Sequence, residues 1–598
     1  MRSVVQVVDI DGTAVFAEWF DAFRGPFERG ESDALAQLLV ADASWKDMLA
    51  FTWAFRTTAG HAQIADALAR RTSAVNQHST RPAEGRTPPR VVRRSGKTVV
   101  EAFFDFDTTI GRGTAFVRLL PDLESGTAKA WLLLTTLQEL HGFEEKTGAW
   151  RLTGIEFSRN ETLENWLDRR QEELAYADRS PEVVVIGGGQ AGLILATRLR
   201  QMGVDVLILE RTARVGDVWR DRYHSLTLHN EVWANSLPYM EFPPTWPTFL
   251  PKDKLSGWLE SYATFMELNV WTGCEVVDAT RDEESGRWAV RFRVADGEVR
   301  TIMAKHTVLA TGAVSGIPNR PAIDGLENYR GRVLHSSEFT SGEAFRGKRV
   351  VVFGTGNSGH DIAQEVYNHG AHELSIVQRS PTCVLSLQPS GTMVYSIYGE
   401  GLPVDDVDLI TAAVPYPLLI ETHRWLTRRI AEIDGDLIAG LHRMGFETTN
   451  GPDDTGFYVM HLRKGGGYYI DVGCSELISS GRIRLLKSRE IAGFGDSSVE
   501  LQDGTHVDCD AIVLATGYQN QQEGVRQIFG TAVADRIGSV WGLDDDHTMR
   551  NMWRRTAQRG LWIMGGSLID CRLYSRYLAL QIRAELEGIE VPDMPATD

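Results

Sequence analysis

Two stretches of the chain share one pattern of apolar and polar positions. Each has a short apolar run, a glycine-rich turn, an apolar helical stretch and a second apolar run, over residues 181–210 and 349–379. Short continuous apolar runs are typical of buried parallel strands, and helical spacing of apolar residues after each turn indicates a helix. The pattern therefore predicts two strand–helix–strand units of the Rossmann type.

The turns in both units have the spacing GxGxxG. The glycines are Gly187, Gly189 and Gly192 in the first unit and Gly354, Gly356 and Gly359 in the second. In such a unit the first glycine makes the tight turn, the second lets backbone N–H groups approach a pyrophosphate, and the third lets the helix pack on the strand. Each unit is therefore expected to bind one dinucleotide.

The residue that ends each unit differs in charge. The first unit ends on Glu210, and the second ends on Arg379. A carboxylate accepts hydrogen bonds from a ribose diol, whereas a guanidinium pairs with a 2′-phosphate. The first unit is therefore expected to bind FAD and the second NADPH.

The remaining chain predicts the elements around these units. Residues 1–157 lack a phosphate loop and indicate an α+β layer, with helices around 15–23, 33–40 and 64–70 and strands around 98–106, 114–120, 128–139 and 149–157. Also expected are an amphipathic helix at 161–177, β-meanders at 276–301 and 482–513, a mostly helical stretch at 385–471 and a last helix at 575–587. Backbone N–H groups at Gly565 and Gly566, just before that last helix, suit a flavin.

Composition argues against several functions. The 598 residues carry a formal net charge of −18, whereas nucleic-acid binding needs a basic face. The same charge argues against an anionic membrane surface. No apolar run is long enough to span a bilayer, and the N-terminus lacks a signal-peptide pattern. We expect a cytoplasmic protein without nucleic-acid or membrane partners.

Cysteine spacing narrows the chemistry. The five cysteines are Cys274, Cys383, Cys474, Cys509 and Cys571, and no two form a CxxC motif or metal-ligand spacing. They are expected to be reduced and structural, with no metal site. Two dinucleotide units imply hydride transfer from NADPH to flavin, and without a cysteine pair the electrons do not continue to a disulfide. Oxygen or a redox partner remains as the acceptor.

Further motifs resemble the class B flavin-containing monooxygenases. The stretch from Tyr329 through Gly331 and His335 to Phe339 is similar to that family's FxGxxxHxxx(Y/F) fingerprint, which also precedes the second glycine turn. Residues 216–219 (GDVW) are similar to its GGxW motif, and ATG occurs at 310–312 and 515–517. The ending Phe339-Thr340, in place of Trp followed by Pro or Asp, favours the branches that oxygenate nitrogen and sulfur and the plant-type indole-pyruvate monooxygenases.

This resemblance implies an activity and its cofactors. NADPH reduces FAD, O₂ forms a flavin C4a-hydroperoxide in a dry pocket, and a small organic substrate is oxygenated, at nitrogen or sulfur in the favoured branch. The alternatives are Baeyer–Villiger oxygenation of a ketone or aldehyde, and an uncoupled NADPH oxidase or redox module. The sequence does not identify the substrate.

The site residues expected from motifs and resemblance are mostly binding residues. Those expected to bind cofactor are Gly187, Gly189, Gln190, Ala191, Gly192, Glu210, Arg211, Asp217, Trp219, Thr311, Gly354, Gly356, Asn357, Ser358, Gly359, Arg379, Ser380, Gly517, Gly565 and Gly566. The catalytic candidates are His229, Asn230 and His335. His229 falls where animal-type members place an asparagine facing the flavin, and an imidazole there is expected to change protonation near neutral pH.

The order of elements in the N-terminal part resembles the cone-shaped SnoaL, ketosteroid isomerase and nuclear-transport-factor superfamily. In that superfamily the cone holds a ligand or mediates dimerisation. Asp47 and His61 are candidates for isomerase-type acid–base residues, although we favour a packing and dimerisation module, which leaves a homodimer open. The expected domains are 1–157 (SnoaL-like cone), 158–180 (linker helix), 181–345 and 481–598 (FAD-binding) and 346–480 (NADPH-binding with a helical insert).

The charge at the end of the second unit gives a first prediction. Arg379→Ala is expected to weaken NADPH binding by about 1.5–3 kcal/mol, the contribution of a charged hydrogen bond, and to narrow the preference over NADH. Michaelis constants for both nucleotides measure the effect. Unchanged constants would show that Arg379 does not contact the 2′-phosphate.

Overall fold

The computed structural model describes residues 10–71, 75–122, 127–157, 164–312 and 314–589. The N-terminal domain consists of helices packed on a seven-stranded sheet of order β2-β1-β7-β6-β5-β3, with β4 also paired to β5. Its elements are α1 (Gly12–Arg29), α2 (Ser32–Gln37), β1 (Leu39–Met48), β2 (Phe55–Ala59), α3 (His61–Ala69), β3 (Arg81–Pro82), β4 (Arg90–Arg94), β5 (Lys97–Asp107), β6 (Gly111–Pro121) and β7 (Ala128–Leu140).

The two faces of this sheet pack against different neighbours, because side chains along a strand alternate between faces. Phe104 and Phe106 of β5 face the helices, where both rings lie edge-on to Phe27 of α1. Phe103 and its cross-strand partner Phe116 point the other way and belong to a core shared with the dinucleotide units. The domain is therefore packed on both faces.

The structure agrees with the predicted α+β layer but corrects one of its strands. Residues 149–157, all of which the structure describes, form no strand; Gly148–Trp150 and Ile155–Phe157 are short 3₁₀ turns. Gly148 and Gly154 have φ of 54° and 76°, which interrupts extended backbone there. Strands β1 and β2, between the second and third helices, were not predicted.

The first dinucleotide unit follows a connecting helix. The elements are α4 (Trp166–Ala175), β8 (Val183–Ile186), α5 (Gln190–Gln201), β9 (Val206–Leu209), α6 (Asp217–Arg220), β10 (Thr227–Glu231), β11 (Phe249–Pro251), α7 (Lys252–Phe265), β12 (Asn269–Trp271), β13 (Glu275–Arg281), β14 (Trp288–Arg293), β15 (Val299–Ala304), β16 (His306–Leu309) and β17 (Val314–Pro318). Strands β13, β14 and β15 form the predicted antiparallel meander. Helix α4 lies inside the range predicted for the connector, whose residues 161–163 lie outside the described residues.

The second unit contains the helical stretch predicted at 385–471. Its elements are β18 (Arg332–His335), β19 (Arg349–Phe353), α8 (Asn357–Asn368), β20 (Glu373–Gln378), β21 (Cys383–Ser386), α9 (Thr392–Val394), α10 (Val404–Ala412), α11 (Tyr416–Ile433), α12 (Gly435–Arg443), α13 (Gly456–Lys464), β22 (Tyr468–Asp471), α14 (Cys474–Ser479), β23 (Arg484–Lys487), β24 (Ile491–Phe494), β25 (Ser498–Leu501), β26 (His506–Asp508) and β27 (Ala511–Leu514). The chain then returns to the first unit through β28 (Tyr518–Asn520), α15 (Gln521–Phe529), α16 (Thr531–Ile537), β29 (Leu561–Ile563) and α17 (Leu568–Leu586).

Each unit is built on a five-stranded parallel sheet. The first has the order β12-β9-β8-β16-β29, and the second has the order β18-β27-β19-β20-β23. Strands β18, β23 and β27 pair into the second sheet, so the predicted boundaries at residues 345 and 480 do not match the strand pairing. On this evidence we propose that the second unit runs from about residue 332 to residue 514. Strands β17 and β28 pair where the chain crosses between the units.

The cysteine side chains have the state expected from their spacing in the sequence. All five cysteines are free and buried, as expected for reduced structural residues. None of the helices in the described ranges combines the length and apolarity needed to cross a membrane.

A buried ion network joins the N-terminal sheet to the second unit. Glu101 of β5 accepts hydrogen bonds from Arg118 at 2.6 Å, Arg90 at 2.6 Å and Arg94 at 3.1 Å. Arg90 and Arg94 also reach Glu400, which precedes α10. Burial raises the pKa of Glu101, but the guanidinium groups of Arg118 and Arg94 outweigh burial and hold that pKa below its usual value. The network therefore depends on an ionised Glu101.

Removing that charge provides a test of the network. Glu101→Gln is expected to destabilise the protein by about 3–5 kcal/mol, because it leaves the buried guanidinium group of Arg118 without its counter-ion. The shift in the thermal unfolding midpoint measures the effect. Glu84→Gln, at an exposed position of the same domain, is the control. Equal midpoints for the two variants would contradict a structural role for the network.

Candidate active site

The first glycine turn is fixed by close backbone contacts. Gly187 has a φ of 109°, and a Cβ there would lie 2.7 Å from the carbonyl oxygen of Ala310. A Cβ at Gly192 would overlap the carbonyl oxygen of Gly187. At Gly189, by contrast, Val218 at 3.8 Å is the only neighbour that a Cβ would have among the described residues. The middle glycine therefore faces open space at the N-terminus of α5, as a pyrophosphate cradle requires.

Residues predicted for flavin binding from three parts of the chain meet at this turn. Gln190 accepts a hydrogen bond from the indole N–H of Trp219 at 3.1 Å and donates to the carbonyl oxygen of Gly566 at 3.4 Å. Glu210 is buried and accepts from the backbone N–H of Gly188 at 2.6 Å and from that of Thr212 at 2.8 Å. Its Oε2 keeps a lone pair for a further donor.

Other predicted flavin residues have mixed positions. Asp217 is buried and paired with Arg220, whereas Arg211 is exposed. Ala191 is buried in α5, and Thr311 accepts a hydrogen bond from Gln521 at 2.8 Å. Asp217, Ala191 and Thr311 support the local backbone through packing and hydrogen bonds.

The second glycine turn repeats the first. Gly354 has a φ of 114°, and a Cβ at Gly359 would overlap its carbonyl oxygen. Within the described part of the chain, a Cβ at Gly356 would meet only the carbonyl oxygen of Tyr468, at 3.7 Å. Asn357 accepts a hydrogen bond from the backbone N–H of Ile470 at 2.9 Å, which ties the turn to β22. The second unit thus has a cradle of the same form.

The residues after β20 face solvent. Arg379 and Ser380 are both exposed, and Arg379 makes no ion pair or hydrogen bond with the residues that the structure describes. Ser358, in the first turn of α8, is half-buried. A cation held at the edge of the second cradle without a protein partner fits a phosphate ligand.

The fingerprint stretch has a structural basis. The Tyr329 ring covers Gly331 so closely that a Cβ there would overlap it, and the Tyr329 hydroxyl donates to the carbonyl oxygen of Cys509 at 2.9 Å. His335 is buried. Its Nδ1 lies 2.9 Å from the hydroxyl oxygen of Ser337, and its Nε2 lies 3.0 Å from the carbonyl oxygen of Gly517. Both ring nitrogens are engaged, so we propose that His335 positions the Gly517 loop rather than acting as the predicted catalyst.

The other catalytic candidates lie on β10. Burial lowers the pKa of His229 to about 4, so the expected change of protonation near neutral pH is wrong and the ring is neutral there. Its neighbour Asn230 interacts with the hydroxyl of Tyr395. Asn230 is therefore the candidate that is linked to the cavity described next.

A cavity of about 400 Å³ adjoins the first turn of helix α17. Tyr395, Asp570 and Tyr574 line it, together with residues of α10 and α11 and part of the N-terminal sheet. Asp570 stands in the first turn of α17 and accepts a hydrogen bond from the hydroxyl of the helix cap Ser567 at 2.8 Å. Because Gly565 and Gly566 directly precede Ser567, the cavity adjoins the residues predicted to meet the flavin.

Sequence reasoning missed Asp570 and Tyr395. The capping-box spacing from Ser567 to Asp570 marks a helix start and would have placed the start of α17 correctly, where the prediction began it at residue 575. Tyr395 has no comparable sequence signal. The N-terminal candidates do not form a site: His61 is exposed, and Asp47 is buried with hydrogen bonds from Thr52 and Thr135.

Two parallel sheets, each with an open glycine cradle, define an enzyme of the class that carries two dinucleotides. A family model described as flavin-binding monooxygenase-like matches residues 180–397. The probable indole-3-pyruvate monooxygenase YUCCA9 of Arabidopsis thaliana is 33% identical over 340 residues, covering 56% of this chain and 75% of the relative. The indole-3-pyruvate monooxygenase YUCCA1 of Oryza sativa subsp. japonica is 32% identical over 345 residues, covering 57% and 77%.

A solved structure of cyclohexanone monooxygenase bound to ε-caprolactone shares the fold, with a TM-score of 0.50 at 17% identity over 68% of this chain and 88% of that one. The chain belongs to the flavin-binding monooxygenase-like family. The predicted class B flavin monooxygenase with two dinucleotide-binding domains, using FAD and NADPH, is confirmed. The SnoaL-like assignment of the N-terminal domain stays a prediction.

The open position at Gly189 yields a sharp test. Gly189→Val is expected to abolish FAD retention, because the added side chain enters the cradle without meeting protein atoms that would prevent folding. The ratio of flavin to protein absorbance after purification measures retention. Gly257→Val, at an exposed position with no atom near the added Cβ, is the control and should remain yellow. A flavin-loaded Gly189→Val variant would refute the assignment.

Proposed function

We propose that the enzyme oxygenates a small organic molecule at nitrogen or sulfur, with FAD in the first cradle and NADPH in the second. The cavity carries this proposal, because Asp570 lines it from the helix that follows Gly565 and Gly566. The ending Phe339-Thr340 of the fingerprint supports nitrogen or sulfur as the target. The partners are accordingly the substrate and O₂.

Within this proposal the first cradle holds FAD through its backbone. Gly189 leaves room for the pyrophosphate, and the free lone pair of Glu210 accepts from a ribose hydroxyl. Gln190 is hydrogen-bonded to both Trp219 and Gly566. It therefore fixes the positions of these two residues relative to each other. FAD held there would supply a redox centre able to take a hydride from NADPH and to pass electrons to O₂.

The second cradle supplies the nucleotide contacts and a charge. Gly356 leaves the same opening, and Arg379 offers a guanidinium to the 2′-phosphate. The ring of His229 on β10 is neutral at pH 7 and adds no charge there. The aromatic and aliphatic lining of the cavity keeps water from the reacting atoms, which limits loss of electrons to peroxide.

The finer partner assignments are part of the same proposal. The net charge of −18 supports an enzyme without a nucleic-acid or anionic-membrane partner. The five free, buried cysteines support a reducing, cytoplasmic location. One face of the N-terminal sheet is covered by its own helices, and the other is covered by the dinucleotide units. The outer surface of those helices is therefore the surface left for any homodimer contact.

Product analysis with separate substrates tests the proposal. The FAD-loaded protein is given NADPH, O₂ and one of four compounds: thioanisole, N,N-dimethylaniline, cyclohexanone or indole-3-pyruvate. Indole-3-pyruvate is included because it is the substrate in the names of the plant relatives. We expect sulfoxide or N-oxide as the main product, with less peroxide than NADPH consumed. The flavin-free Gly189→Val variant is the blank.

Two results would overturn it. A lactone from cyclohexanone or a shortened acid from indole-3-pyruvate as the only product would contradict oxygenation at nitrogen or sulfur. Peroxide equal to NADPH with every compound would contradict coupled oxygenation.

A further inference from the structure

The N-terminal domain forms one wall of the cavity beside Asp570. Lys46 of β1, Phe55 and Thr57 of β2 and Arg118 of β6 line that wall. The matched family region begins at residue 180, so this wall lies outside it. A ligand that fills the cavity contacts the N-terminal domain as well as the two units.

Among the residues that the structure describes, Lys46 is the cation of this wall whose side chain has no protein partner. Arg118 is paired with Glu101 at 2.6 Å, and Arg94, which also lines the cavity, is paired with Glu101 and Glu400. The side chain of Lys46 makes no hydrogen bond or ion pair with any residue in the described ranges, and burial is the cause of its lowered pKa. A charge in this setting calls for an anion from outside the protein.

The strand fixes the direction of Lys46. In β1 the side chains of Trp45 and Asp47 face the helices, where each is hydrogen-bonded to Thr135. Because strand residues alternate, Lys46 faces the opposite side together with Met48, which belongs to the shared core. The ammonium group therefore projects between the domains and not into the helical layer.

The energetics favour a charged ligand. Burial lowers the pKa of Lys46 to about 8, so the ammonium form still predominates at pH 7 but is poorly solvated. A carboxylate beside it would restore the lost interaction. Most of the remaining lining is aromatic or aliphatic, including Ile410, Leu418 and Trp553, which suits an apolar body.

We propose that the N-terminal domain completes the substrate site and that Lys46 binds the carboxylate of an organic acid whose apolar body carries the nitrogen or sulfur to be oxygenated. This inference rests on the function proposed above for the same cavity. It gives the N-terminal domain a direct part in substrate selection.

Equilibrium binding tests this without requiring turnover. 3-(Phenylthio)propionate and its neutral amide are titrated calorimetrically into the FAD-loaded full chain with NADP⁺ present. The wild type is expected to bind the acid roughly 10- to 100-fold more tightly than the amide, the range of one charged hydrogen bond. Lys46→Met should reduce that ratio to about one, and Lys46→Arg should restore most of it. Lys129→Met, an exposed position in the same sheet, should keep the wild-type ratio.

Flavin content and the unfolding midpoint establish that each variant is folded. A wild-type ratio near one, or a ratio that Lys46→Met leaves unchanged, would overturn the role of Lys46. Sulfoxide formation from the same acid is followed separately. If the acid binds through Lys46 but no sulfoxide forms, the proposed function fails while the anion site stands.

Discussion

The structure depends on the burial of helix α17 among all three parts of the chain. The helix packs against α5 of the first unit and β7 of the N-terminal sheet. Its Arg572 forms a buried pair with Asp408 of α10 at 2.7 Å and donates to the carbonyl oxygens of Ala234 and Ser236. A buried guanidinium is tolerated only when its donors are matched in this way. One helix thus sets both the glycine pair at its start and a wall of the cavity along its length.

The two dinucleotide units have the same backbone geometry at their glycine turns. In each, the first and third glycines are required by contacts with protein backbone, and the middle glycine faces open space. The difference lies after the second strand. Glu210 is buried and held by backbone N–H groups, whereas Arg379 is exposed and has no partner among the described residues. Local backbone geometry makes the cradles, and we propose that one side chain in each, Glu210 or Arg379, distinguishes their ligands.

The dinucleotide units could be predicted because their signals are local: apolar runs, glycine spacing and a terminal charge lie within one short stretch. Features that depend on distant contacts could not. Which sheet β27 joins is decided by pairing with β18 and β19, so the second unit that we propose from strand pairing differs from the one predicted from sequence. The low pKa of His229 arises from burial by other elements, which sequence spacing does not report. Lys46 and Asp570 stand at opposite ends of the chain and share a cavity only after folding.

The position of Arg94 and Arg118 has a thermodynamic consequence. Both side chains line the cavity, and both belong to the ion network that fastens the N-terminal sheet to Glu400. A ligand that binds only while the N-terminal sheet is packed against the second unit stabilises that packing by mass action, to an extent that rises with ligand concentration. Occupancy of the cavity by a ligand is therefore linked to the stability of the contact between the N-terminal sheet and the second unit. A substitution that weakens this ion network therefore lowers the affinity of the cavity for its ligand, even where both glycine cradles are intact.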